Sequence, residues 1–139
     1  MFTPNKKKGE KGTSAVEFAL VLPLLLMMLF ATIEFSIAMY DKAVITNASR
    51  EGARRGIVMQ TPRISAAQIT TTVNNYSGSH LISFGAAAVT TSVSSICVDS
   101  DDQLTVSVAY PYTFFVLPNF LSSLTGPLIL NGVTVMRCE

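Results

Sequence analysis

Tryptophan is absent from this 139-residue chain, histidine occurs once, at His80, and charged residues make up only 14% of it. One histidine, with no HExxH pair and no serine-nucleophile motif, leaves no recognisable acid–base or hydrolytic constellation, so catalysis is not expected. Cysteine occurs twice, at Cys97 and Cys138, without a CxxC pair, a pattern that fits neither a zinc site nor a dithiol redox motif. No metal, cofactor or small-molecule substrate is therefore expected. The net charge of +1 excludes a global polyanion-binding surface, and nucleic acid is not an expected partner. The hydrophobic share of 49% excludes a disordered chain. Internal repeats are missing, and low-complexity sequence is confined to the N-terminal lysines.

What the chain does have is a long apolar run. From Phe18 to Ile33 no residue is charged and only Thr32 is polar; beyond Glu34 the apolar character resumes through Phe35, Ile37, Ala38, Met39 and Tyr40. A bilayer-spanning helix needs about 20 mostly apolar residues, which places a span at residues 16–40 with Glu34 as an interfacial, snorkelling carboxylate. Lys6, Lys7, Lys8 and Lys11 precede the run and assign the N-terminus to the cytoplasm, with the rest exported. A cleaved secretory signal is the rival reading, but its apolar core would be about 7 to 15 residues long. In the exported compartment Cys97 and Cys138 read as one disulfide, tying the last strand to the preceding hairpin, worth about 4 kcal/mol by loop-closure entropy.

The helical spacing of Ile33, Ile37, Tyr40, Val44 and Ala48 continues the helix into water as far as about Arg55, with a kink or loosening expected at Pro23. Thr61 and Pro62 read as the start of a second helix carrying Ile69, Val73 and Tyr76 and stopping at Ser77 and Gly78. Residues 89–98 and 104–110 read as a hairpin around the acidic turn Asp99, Ser100, Asp101 and Asp102, whose spacing is not that of a calcium loop. Pro111 and Pro118 punctuate the apolar stretch that follows. Residues 128–137 read as a third strand, interrupted by the turn pair Asn131 and Gly132. The fold class is α+β: a basic leader over 1–12, a long N-terminal helix over 13–56, and an exported head over 57–139 with a short helix and about three antiparallel strands.

The chemistry concentrates at Lys11-Gly12-Thr13-Ser14-Ala15-Val16-Glu17-Phe18. A carboxylate at the mouth of a spanning helix costs a few kcal/mol unless it is interfacial or paired, so Glu17 calls for a partner or for the positive end of its own helix. These residues resemble the type IV pilin superfamily, whose precursors carry a basic leader ending in glycine and a glutamate fifth in the mature chain. The runs Glu17-Phe18-Ala19-Leu20-Val21-Leu22-Pro23, Ile33-Glu34-Phe35 and Thr46-Asn47-Ala48-Ser49-Arg50-Glu51-Gly52-Ala53-Arg54 are similar to TadE-like proteins of the tight-adherence (Tad/Flp) pilus system. The ending Val135-Met136-Arg137-Cys138-Glu139 is similar to the close of that family's domain.

The resemblance implies cleavage between Gly12 and Thr13 by a prepilin peptidase, with the helix kept as an inner-membrane anchor, N-terminus inside and head exported. It implies docking through Glu17, Phe18 and Pro23, with the new Thr13 amine pairing with the glutamate of a neighbouring subunit and Pro23 allowing local adjustment. The implied partners are the peptidase, other Tad/Flp pilus subunits, the inner-membrane assembly platform and membrane lipid. The family's main pilin is little more than the helix, so a chain with a head fits a minor pilin or pseudopilin, possible in the filament or at its base. The competing class is a signal-anchored binding or adhesin domain using loops around residues 110–120, although Tyr112, Phe114, Phe115 and Phe120 there read as core or subunit interface in preference to a ligand platform.

Overall fold

A helix of 48 residues, α1 (Glu10–Ile57), dominates the computed structural model. At 1.5 Å per residue it is about 72 Å long. The structure describes residues 10–84, 88–99, 101–114, 126 and 128–139, with side chains from Gly12 onward in α1. Lys6, Lys7, Lys8, Phe115, Pro118 and Phe120 lie outside the described residues. α1 starts ahead of the position expected and runs unbroken through Pro23, which removes one backbone donor but leaves the helix continuous.

The second helix, α2 (Ala66–His80), begins later than Thr61 and Pro62 suggest. Its start is set by a capping box: the Gln68 N–H donates to the Ser65 hydroxyl, and the Gln68 side chain accepts from the Ser65 N–H at 3.0 Å. It also runs through Ser77 and Gly78 to His80, whose Nδ1–H donates to the Tyr76 carbonyl at 2.8 Å while the two rings stack.

Three strands, β1 (Thr90–Ser94), β2 (Gln103–Tyr112) and β3 (Leu128–Arg137), form an antiparallel meander in chain order. In β2 the expected alternation holds, with Leu104, Val106, Val108, Tyr110 and Tyr112 all buried. Pro111 sits inside β2 rather than ending it. β1 stops opposite Ala109, so beyond that point β2 is hydrogen-bonded on one side only, where a residue lacking its N–H is tolerated. β3 is likewise unbroken: Asn131 and Gly132 pair with Ala109 and Val108 and form no turn.

Both helices cover one face of this sheet. The buried positions of α1 are Glu34, Ala38, Asp41, Val44, Ile45, Ala48, Ser49, Gly52, Ala53 and Gly56, a single stripe at intervals of mostly three and four residues. Against it lie β2, Leu130 of β3, and Ile69 and Val73 of α2. Each of those fully buried aliphatic side chains is worth about 1.5 to 3 kcal/mol. The outer half of α1 is thus the central element of the head's core. Cys97 and Cys138 are bonded, Cα–Cα 5.7 Å, and close the end of the head away from the apolar run.

Candidate functional site

α1 divides in two. Between Gly12 and Ile33 no residue is buried, and the apolar window there has a mean hydropathy of 2.4. Phe18, Leu20, Met27 and Met28 each expose more than 60% of their surface. The Thr32 hydroxyl donates to the Met28 carbonyl at 2.9 Å and that of Ser36 to the Thr32 carbonyl at 2.8 Å, so these polar groups are satisfied within the helix, as lipid requires. By length and composition this segment can cross a membrane, which fits a single-pass anchor.

The residues singled out for processing and docking are strung along this bare half and are not gathered by the head. Gly12 lies in the first turns of α1 with open space around it. Glu17 and Pro23 are exposed, as is Phe18. Among the selected residues, Cys97 and Cys138 are brought together and bonded.

Glu34 marks the change of character, and here the structure corrects the reading of a snorkelling side chain. Glu34 is 2% exposed, because Tyr112 at the end of β2 covers it. The phenol donates to Glu34 Oε1 at 3.1 Å and lies 3.4 Å from the Glu34 carbonyl oxygen. Burial, followed by the hydrogen bond to Glu34 and the charge of that carboxylate, holds the Tyr112 hydroxyl well above its usual range. Phe114 packs edge-on against the Tyr112 ring.

Two turns further on, Asp41 is fully buried and accepts the Ile82 N–H at 3.0 Å through Oδ1. Oδ2 has no hydrogen-bond partner among the described residues. Burial raises its carboxyl above the ordinary value, and the Ile82 bond only partly offsets this. Lys42 Nζ donates to the Asn131 carbonyl. Further out, the hydroxyls of Ser49 and Thr134 meet at 2.7 Å. Each contact joins α1 to a strand or loop of the head.

At the far end the acidic turn is structural. The Asp102 carboxylate accepts the N–H groups of Val98 and Asp99, each at 2.9 Å, and these bonds hold its carboxyl below the usual range. Arg137 pairs with Asp101. The Cys138 N–H donates to the Asp102 carbonyl at 2.9 Å, and the Glu139 N–H to the Ile57 carbonyl at 3.3 Å. Tyr110 and Tyr112, at the start of the region considered for an adhesive loop, are core residues at 1% and 4% exposure, which for Tyr112 is the reading favoured over a ligand platform.

Sequence reasoning missed Tyr112, Asp41 and Gly132 as fixing points. Their partners lie 41 to 87 positions away, and no local signal announces them.

No curated protein and no solved structure matches the chain. A family model does, and the match ends within α1 without reaching residues 135–139. Residues 12–54 match the family model of the TadE-like proteins, so this stretch, nearly all of α1, is similar to the N-terminal helix of that family.

Proposed function

We propose that this protein is a minor pilin or pseudopilin of a Tad/Flp pilus, made as a prepilin, cut between Gly12 and Thr13 by a prepilin peptidase, and assembled through the inner half of α1. The observation that carries this reading is the division of α1: an apolar half with no buried residue, continuous with a half that is the core of a head. Such a helix needs lipid before assembly, and it offers the same surface to neighbouring helices afterwards.

Processing makes physical sense at Gly12. The glycine offers an unhindered scissile bond, and the lysines beside it hold the leader at an anionic inner leaflet. Cleavage leaves a cationic amine at Thr13 and makes Glu17 the fifth residue. An amine from one subunit paired with the carboxylate of the next would fix axial register, because any other register leaves a charge unpaired. The partners are the peptidase, other pilus subunits and the inner-membrane assembly platform, and the reading includes no catalytic activity. The TadE-like match over residues 12–54 supports association with the pilus system.

Intact-mass analysis of membrane-purified protein from cells with and without the prepilin peptidase tests this. Loss of residues 1–12 only when the peptidase is present is the expected result. An uncut chain in both strains removes the pilin reading and leaves a signal-anchored binding domain. A cut beyond the apolar half of α1 makes the chain an ordinary secreted protein.

A further inference from the structure

The position of the head relative to the bilayer follows from where α1 stops being bare. A hydrocarbon layer of about 30 Å takes about 20 helical residues, and residues 14–33 supply them. Glu34, the next residue, is sealed from lipid by Tyr112. The outer hydrocarbon boundary therefore falls near Ile33, and the head begins at that level with no stalk between.

The orientation of β3 identifies which edge of the head faces the membrane. Leu130 lies beside Ala38, a Cβ on Gly132 would touch the Ile45 carbonyl, Thr134 bonds Ser49, and the Glu139 N–H reaches Ile57. β3 thus climbs away from the membrane alongside α1, and its first residues, Leu128 and Ile129, are the lowest. Leu128 pairs with Tyr112, which is itself fixed on Glu34.

At this height Phe35 and Met39 of α1, 68% and 54% exposed, share an apolar groove of about 520 Å³ with Ile129, 51% exposed. The surface is continuous with the apolar half of α1 below it.

We infer that the membrane-proximal edge of the head, Phe35 and Met39 of α1 with Leu128 and Ile129 of β3, lies in the lipid interface, so that the head is seated on the bilayer. The occupant of the groove is phospholipid, with the headgroup layer adding about 5 to 7 Å on each side of the hydrocarbon. Ile129 falls within that layer. Val135, six residues along β3, stands about 20 Å higher and clear of it. The inference rests on the membrane reading of α1 proposed above.

The absence of tryptophan makes the test clean, because a single introduced indole is the only one present. Full-length Met27→Trp, Phe35→Trp, Ile129→Trp and Val135→Trp are reconstituted into phosphatidylcholine vesicles, with and without acyl chains brominated near the headgroup. All four positions are exposed, and a retained Cys97–Cys138 bond shown by thiol labelling verifies the fold of each variant. Emission from Met27→Trp, Phe35→Trp and Ile129→Trp is expected to fall at least about twofold with brominated lipid, and that of Val135→Trp to stay unchanged. Quenching at Met27 with none at Phe35 and Ile129 overturns the seated head while leaving the anchor intact, and assigns the groove to a protein neighbour. Equal quenching at Ile129 and Val135 overturns it as well, because the head would then lie flat in lipid. No quenching at Met27 removes the membrane reading itself, and the inference with it.

Discussion

Asp41 is a carboxylate placed where a charge is disfavoured. One oxygen holds the Ile82 N–H; the other has no hydrogen-bond partner among the described residues, and the group is fully buried. Its carboxyl is raised above 3.8 in the folded chain, so the fold binds the proton more tightly than the unfolded chain does. The stabilising contribution of that proton is fully present below about pH 3.8 and is lost as pH rises through the folded value. At neutral pH the buried charge works against folding. Asp41→Asn keeps an oxygen for Ile82 and removes the charge. The variant should be more stable than the wild type at pH 7, and the gain should disappear below about pH 3.8. Urea unfolding of both proteins in micelles across pH 3 to 8 measures this; Asp102, whose carboxyl is shifted the other way, cancels in the difference. A loss of stability in Asp41→Asn at pH 7 would mean that the carboxylate has a cationic or water partner that offsets its burial.

Where β3 crosses α1, the two elements approach so closely that only hydrogen fits between them. A Cβ on Gly132 would stand 2.7 Å from the Ile45 carbonyl oxygen and 3.0 Å from the Thr46 Cα, both backbone atoms. A Cβ on Gly52 would meet the Val73 Cγ2 at 2.5 Å, but that is a side-chain methyl that can rotate away. Gly132→Ala should therefore cost about 1 to 3 kcal/mol, since relief requires moving strand from helix. Gly52→Ala should cost less, because alanine recovers up to about 1 kcal/mol of helix propensity. Denaturant midpoints of the two variants, read at equal m-value, decide the order; a larger loss at Gly52 would contradict the close crossing. The same glycine shows why the strand was misread as broken. Asn131-Gly132 has the composition of a hairpin turn, and nothing within the strand reveals the helix lying across it. Thr61 and Pro62 misled in a similar way, because the true cap, Ser65 with Gln68, lies a few residues on. By contrast the alternation of Leu104, Val106 and Val108 and the pairing of the two cysteines were legible, since each depends on a local pattern or on having a single possible partner. Glu34 was legible only as a snorkelling carboxylate and not as a contact, its partner being 78 residues away.

Taken whole, the molecule has two parts that do not divide where the helix ends. Among the described residues the first buried one is Glu34, and Ile45, Ala48 and Ala53 are as deep in the core as any residue of the sheet. The bare part of α1 adds nothing to that core, so the folding unit is residues 34–139. A fragment starting at Glu34 should be a folded protein with the Cys97–Cys138 bond formed and one cooperative melt. Its first residue would still reach Tyr112, and a carboxylate at a helix N-terminus is favourable by about 0.3 to 1 kcal/mol. A fragment of residues 57–139 should fail to fold, because removing α1 strips the covering from β2 and β3 along their whole length. Circular dichroism melts and size-exclusion profiles of the two fragments test this directly. Cooperative melting of 57–139 would show that sheet and α2 make their own core, and α1 would then be a tether to which the head is loosely fixed. Failure of both fragments would mean that the membrane or the apolar half of α1 is needed to complete the fold. With the expected result, whatever force acts on the inner half of α1 is delivered straight to the head through the core they share.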